Sequence, residues 1–109
     1  MQNNIINELK SLIKEDNLSE LRLYYYEIIN NSFDYSLNLQ YIYKEILLYT
    51  CYEGSEQMLE YMLDLYDLFD DISKIALRQI FFYCKYILIK QDKNTQIIEN
   101  FLNKIRYPR

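Results

Sequence analysis

The chain has 109 residues, half of them hydrophobic, with 16 acids against 12 bases and a net charge of −4. That length fits one domain, residues 1–109, with apolar material enough for a real core. Two Cys and no His leave no ligand set for structural zinc, and a single Gly excludes a Gly-rich phosphate loop.

The hydrophobic spacing predicts an all-α fold of about six helices in three antiparallel hairpins. Residues 4 to 14 read as a first helix, with Ile5, Ile6, Leu9, Leu12 and Ile13 on one face. Asn17, followed by Glu20, starts a second helix through about Asn30, with Leu18, Leu21, Tyr25, Ile28 and Ile29 inward. A polar connection over 30–34 leads to a third helix from about Leu37 to Tyr52. Its inward positions are Leu39, Ile42, Tyr43, Ile46, Leu47 and Thr50. Gly54 ends it and Ser55 caps the next. The fourth helix is expected over about Glu56 to Phe69, burying Met58, Leu59, Met62, Leu63 and Tyr66. Asp70 or Asp71 caps a fifth that extends to about Lys90. After a turn at 91–94, Asn94 or Thr95 caps a sixth, with Ile97, Ile98, Phe101, Leu102 and Ile105 inward and Pro108 as its stop. Helices three and five are nearly apolar all round, as expected of elements sandwiched between layers.

The acids after Gly54 form a pattern of their own. Glu56, Glu60, Asp64, Asp67 and Asp71 follow one another at steps of 4, 4, 3 and 4, the spacing of one helix face. No base lies between Lys44 and Lys74. Like charges one turn apart repel by a few tenths of a kcal/mol, so helix stability does not account for the pattern. The spacing predicts a negative surface that faces solvent or a basic partner, with Tyr61 beside it. Pairing with Lys74, Arg78 or Lys85 on the neighbouring helix is the internal alternative.

Charge is unevenly shared along the chain. Residues 1–71 carry 14 acids and 4 bases, and residues 72–109 carry 2 acids and 8 bases. The acidic part disfavours phosphate binding. The basic part reads as solvation of the last helices and as an offset to the acids, so direct nucleic-acid binding is not expected. One Ala, no Trp and many Ile, Asn, Lys and Tyr are the bias of an AT-rich genome, found in many viruses, phages and some bacteria. Met1-Gln2-Asn3-Asn4 lacks the start of a signal peptide, and no apolar run approaches a membrane span. A cytoplasmic chain is expected, in the host cytoplasm if viral. Cys51 and Cys84 then read as small buried hydrophobes.

Two segments echo within the chain. Residues 46–52 match 80–86 at a shift of 34, and 58–63 resemble 97–102 at a shift of 39. The extra five residues are expected as a longer turn around 87–94. The stretch from Leu47 to Asp64 also resembles an ankyrin repeat. Leu47, Thr50, Cys51, Gly54, Met58, Leu59, Met62 and Leu63 occupy its leucine, small, glycine, aliphatic-pair and leucine-pair positions. Its Thr-Pro-Leu-His start and its Gly- and Asn-rich finger turn have no counterpart here. The resemblance implies stacked hairpins and a protein-binding role, as in the degenerate ankyrin-like repeats of large DNA viruses, and transfers no particular binding residues.

Catalytic constellations are missing: Asp70-Asp71 and Glu56/Glu60 have no His, metal set or glycine loop beside them. No enzymatic role, no cofactor and no metal are expected. Consecutive Tyr24, Tyr25 and Tyr26 cannot all face one core, so at least one is expected at the surface. Two functional readings remain. One is a non-enzymatic protein–protein interaction module, with homodimerisation through Tyr and Ile surfaces open to it. The other is a small acidic inhibitor, of the phage anti-defence, anti-CRISPR or toxin-immunity type. It would lay Glu56, Glu60, Asp64, Asp67 and Asp71 into a basic nucleic-acid-binding groove, with Tyr61 and Tyr66 as aromatic anchors.

Overall fold

A computed structural model describes residues 2–32 and 37–106. Its helices are α1 (Gln2–Lys14), α2 (Leu18–Asn31), α3 (Leu39–Glu53), α4 (Glu56–Leu65), α5 (Asp71–Lys90) and α6 (Gln96–Arg106), with a 3₁₀ turn at Tyr66–Leu68. They form the three antiparallel hairpins α1–α2, α3–α4 and α5–α6. Helix α3 lies between α1 and α5, and these three make one layer. In the second layer α4 packs on α6, and α2 reaches α4 through Arg22, 5.2 Å above the Tyr61 ring. None of the described helices is long and apolar enough to cross a membrane.

Side-chain caps set most helix starts. Asn17, Asn38, Ser55 and Asp70 each accept the backbone N–H three residues on, at 3.3, 3.1, 3.1 and 2.7 Å. Each satisfies one of the free donors of a first helical turn. Asn38 therefore moves the start of α3 two residues past the expected Leu37. At α6 the two candidate caps share the work: Asn94 accepts from the Gln96 N–H at 2.9 Å, and Thr95 donates to Glu99 at 2.9 Å. The Pro108 stop and residues 33 and 34 of the expected 30–34 connection lie outside the described residues, and Asn30 and Asn31 belong to α2 rather than to the connection.

The hairpin turns fall into two kinds. After α1 and after α5 the chain closes the same way. Asn17 N–H bonds Leu12 O and Asp16 N–H bonds Ile13 O, while Lys93 N–H bonds Leu88 O and Asp92 N–H bonds Ile89 O. This is a Schellman turn, with Asp16 (φ 57) and Asp92 (φ 56) in the left-handed position that usually takes Gly. Gly54, by contrast, is extended, with φ −88 and ψ 164. It is there for space: a Cβ would stand 2.7 Å from Thr50 Cγ2 and 2.9 Å from Thr50 O. So Gly54 sits in the turn as expected, but for close approach rather than for a special backbone angle.

The core follows the helical periodicity. Ile6, Leu9, Ile13, Leu21, Tyr25, Ile28, Ile42, Tyr43, Ile46 and Leu47 are buried in the first three helices. Met58, Leu59, Met62, Leu63 and Tyr66 are buried after Gly54, and Leu77, Phe81, Cys84, Leu88, Ile98 and Leu102 in the last hairpin. Cys51 and Cys84 are free and buried. The Cys84 thiol is held well above its ordinary pKa by its hydrogen bond with Cys51 and by burial. An aromatic chain links the elements: Tyr43, Phe81 and Phe101 join α3, α5 and α6, with Tyr66 edge-on to Phe81 at 5.0 Å.

Three expectations change. The fourth helix ends at Leu65, because the chain tightens into the 3₁₀ turn there. The five extra residues between the echoed segments are not all turn: 87–90 continue α5, and the turn is 91–95. The echoed segments themselves fall on α3 and α5, and on α4 and α6. Finally, α3 is sandwiched but α5 is not. It is the last helix of its layer, and its far side meets solvent.

Candidate functional site

The five acids stay at the surface. Glu56, Glu60 and Asp64 are exposed on one face of α4, opposite Met58, Leu59, Met62 and Leu63. Asp67 is exposed on the 3₁₀ turn, and Asp71 is exposed as the first residue of α5. The ridge is therefore continuous as a helix face over three carboxylates, and the last two belong to the bend between α4 and α5. The steps of 3 and 4 at Asp67 and Asp71 keep helical spacing through the bend, so the spacing did not mark it.

Internal pairing accounts for little of this charge. Among the described residues one ridge acid meets a base: Asp67, with Lys74 Nζ at 4.0 Å. Glu56 accepts a hydrogen bond from the neutral Asn94 amide at 3.1 Å. The other bases named as counter-charges are turned elsewhere. Lys85 pairs with Glu99 at 3.3 Å, and Arg78 donates to Ile105 O at 3.2 Å. Lys93 reaches across to the end of α3 and donates to Cys51 O and Tyr52 O at 3.0 and 2.7 Å. A cation at a helix C-terminus satisfies carbonyls that have no intrahelical donor.

The aromatic anchors do not hold in the form expected. Tyr66 is buried, edge-on to Phe81 and Phe101, and its hydroxyl donates to Lys74 O at 3.0 Å. It is a core residue because the chain tightens just where it stands, and it is not available to a partner. Tyr61 is half-buried, with the Arg22 guanidinium over its ring. Burial raises its phenol pKa, and the Arg22 charge opposes that rise. It offers an edge beside Glu60 and Asp64 rather than a free ring. Of the three consecutive tyrosines, Tyr25 is buried, Tyr24 is half-buried and Tyr26 is exposed.

A second surface was not anticipated. The solvent side of α5 presents Ile72, Ile75, Phe82, Tyr83, Tyr86 and Ile89, with Ala76 and Gln79 between them. Among the described residues from Ile72 to Ile89, none of the exposed ones is charged, and Lys74, Arg78 and Lys85 are half-buried at the side of the helix. The Tyr83 and Tyr86 rings stack at 6.1 Å. The sequence carried the signal: α5 has apolar residues at helical spacing on two opposite faces. Alone it reads as a buried helix, and only the place of α5 in the layer separates the two cases.

Compared with known proteins, the chain matches no family model, no curated protein and no solved structure.

Proposed function

We propose that this chain is a non-catalytic protein-binding module that presents the α4 ridge to a basic surface. The observation that carries the reading is the state of Glu56, Glu60 and Asp64: all three are exposed and none is ion-paired among the described residues. Three like charges along one helix face cost local stability, so their retention fits a role outside the fold. The resemblance of 47–64 to an ankyrin repeat supports the same use of stacked hairpins as a scaffold.

The exposure of all five acids favours a more specific version. Carboxylates spaced along a helix and the following bend present a row of negative charge to a groove that ordinarily holds a nucleic-acid backbone. The chain then acts as an inhibitor by occupying that groove, of the kind directed at defence nucleases or toxins. Such pairing chiefly speeds association and weakens as salt screens it.

Capture from a host lysate by the wild-type chain, set against the Glu60→Lys/Asp64→Lys variant, tests both versions. Captured proteins should be lost with the charge-reversed chain and should elute as salt rises. For a captured nuclease, association at low salt should slow by tenfold or more. Displacement of the nuclease's own nucleic acid supports the inhibitor version. Equal capture by both chains removes the ridge as the binding site.

A further inference from the structure

We infer that the solvent face of α5 is a self-association surface, joining two copies of this chain with their α5 helices antiparallel. The face runs from Ile72 to Ile89, about 26 Å of helix. Ile72 is 81% and Ile75 69% exposed, and Phe82, Tyr83, Tyr86 and Ile89 lie between 43% and 57%. Together these six expose on the order of 600 Å², close to the ~800 Å² per partner of a standard interface. An uncharged patch of that size is at the upper limit for a monomer.

The opposite end of the layer shows what a finished end looks like. The outward positions of α1 are Asn3, Asn4, Asn7, Glu8, Ser11 and Lys14, all exposed and all polar. A head-to-tail contact would set the apolar α5 face against this polar one. It has no complement there, so an open chain of copies is disfavoured and a closed pair, each α5 covering the other, is favoured.

Charge fixes the direction and the register. The face is bracketed by Asp71 at one end and Lys90 at the other, both exposed, with Lys90 lying 5.6 Å over the Tyr86 ring. Parallel helices would set Asp71 beside Asp71 of the second copy. Antiparallel helices crossing between Ile80 and Phe81 set Asp71 beside Lys90 of the second copy, twice over. The same centre brings Ile72 to Ile89 and Ile75 to Tyr86. It also sets the two Gln79 side chains near the axis, where each amide has both a donor and an acceptor for the other. One centre satisfies the charges and the apolar pairs together.

This surface borders the row of five acids at Asp71 but shares no residue with Glu56, Glu60 and Asp64. Glu60→Lys/Asp64→Lys therefore tests the ridge alone, and Ile75→Glu and Tyr86→Glu test this surface alone. Sedimentation of the full chain across micromolar concentrations should show a monomer–dimer equilibrium. Ile75→Glu and Tyr86→Glu, both at solvated positions, should keep the helical circular dichroism and weaken the dimer at least tenfold. Asp71→Lys and Lys90→Asp should each weaken it roughly tenfold at low salt, and the double reversal should restore it. A strict monomer across that range overturns the proposal. So does a dimer indifferent to Ile75→Glu and Tyr86→Glu, or a double reversal no better than the single ones.

Discussion

The hydroxyl of Tyr43 donates to the carbonyl oxygen of Met62 at 2.6 Å, inside the core. The bond stands where α4 tightens. The N–H of Tyr66, four residues after Met62, turns to Leu63 O and Asp64 O instead. Met62 O is left without its helical donor, and a side chain from the neighbouring helix fills the vacancy. The bond thus ties the end of α4 to α3 at the bend that separates Asp64 from Asp67.

Tyr43→Phe keeps the ring contacts and orphans that carbonyl. A buried acceptor without a donor costs about 1–3 kcal/mol. Urea unfolding should show a loss of that size, with the slope unchanged. Tyr26→Phe, at an exposed ring, should leave stability within ~0.5 kcal/mol. Equal effects from the two would remove the special place of the Tyr43 bond.

Gly54→Ala tests the close approach of the α3–α4 turn. The new methyl has little room, because Thr50 is buried and its hydroxyl is bonded to Ile46 O at 2.7 Å. Overpacking of this kind costs about 1–3 kcal/mol. Thr50→Ser removes the Cγ2 that the new Cβ would meet at 2.7 Å. The double variant should therefore lose less than the two single losses added, by about 0.5 kcal/mol or more. Strict additivity would mean that the clash is with the backbone alone.

Asp92→Gly should stabilise. A non-Gly residue in the left-handed region carries strain, and Gly removes it while giving the unfolded chain more freedom, for a net gain of about 0.5 kcal/mol. Melting should rise by a few degrees. Asp16→Gly should gain less, because Asp16 also accepts a hydrogen bond from the Ser55 hydroxyl at 2.7 Å. A lower melting temperature for Asp92→Gly would show that its side chain holds the turn in some other way.

Most of the architecture could be read from local chemistry. Caps at Asn17, Ser55 and Asp70, the breaker Gly54 and the inward rows all mark themselves in a few neighbouring residues. The errors arose where tertiary context overrode the pattern. The acid spacing continues past Leu65 as though the helix did, and Tyr66 reads both as an inner-face residue and as an aromatic anchor; it takes the inner place. The uncharged outer face of α5 read as a second buried side, because periodicity does not say whether a third layer exists. The exposure of Glu56, Glu60 and Asp64 was legible in their spacing; the nearly complete diversion of Lys85, Arg78 and Lys93 to other partners was not.

Alkaline pH should unfold the chain through its buried phenols. Burial raises the Tyr25 and Tyr43 hydroxyls well above their ordinary value near 10. Tyr24 is pushed up to about 12, by burial first and then by its hydrogen bond with Glu8. A phenol is neutral when protonated, so the native state keeps these protons where the unfolded chain has begun to release them. The unfolding free energy changes with pH as the protons bound by the unfolded chain minus those bound by the native one, which is negative here. The stabilisation is whole below about pH 10, falls as the unfolded chain ionises above it, and is fully lost once pH has risen through the raised native values. Each buried phenol that stays protonated contributes a slope of about 1.4 kcal/mol per pH unit. Urea midpoints measured from neutral pH to about pH 12 should hold level and then fall. Tyr25→Phe removes one such group, so its curve should fall less steeply than that of the wild type. Parallel curves for the two proteins above pH 10 would mean that Tyr25 ionises alike in both states, against its burial.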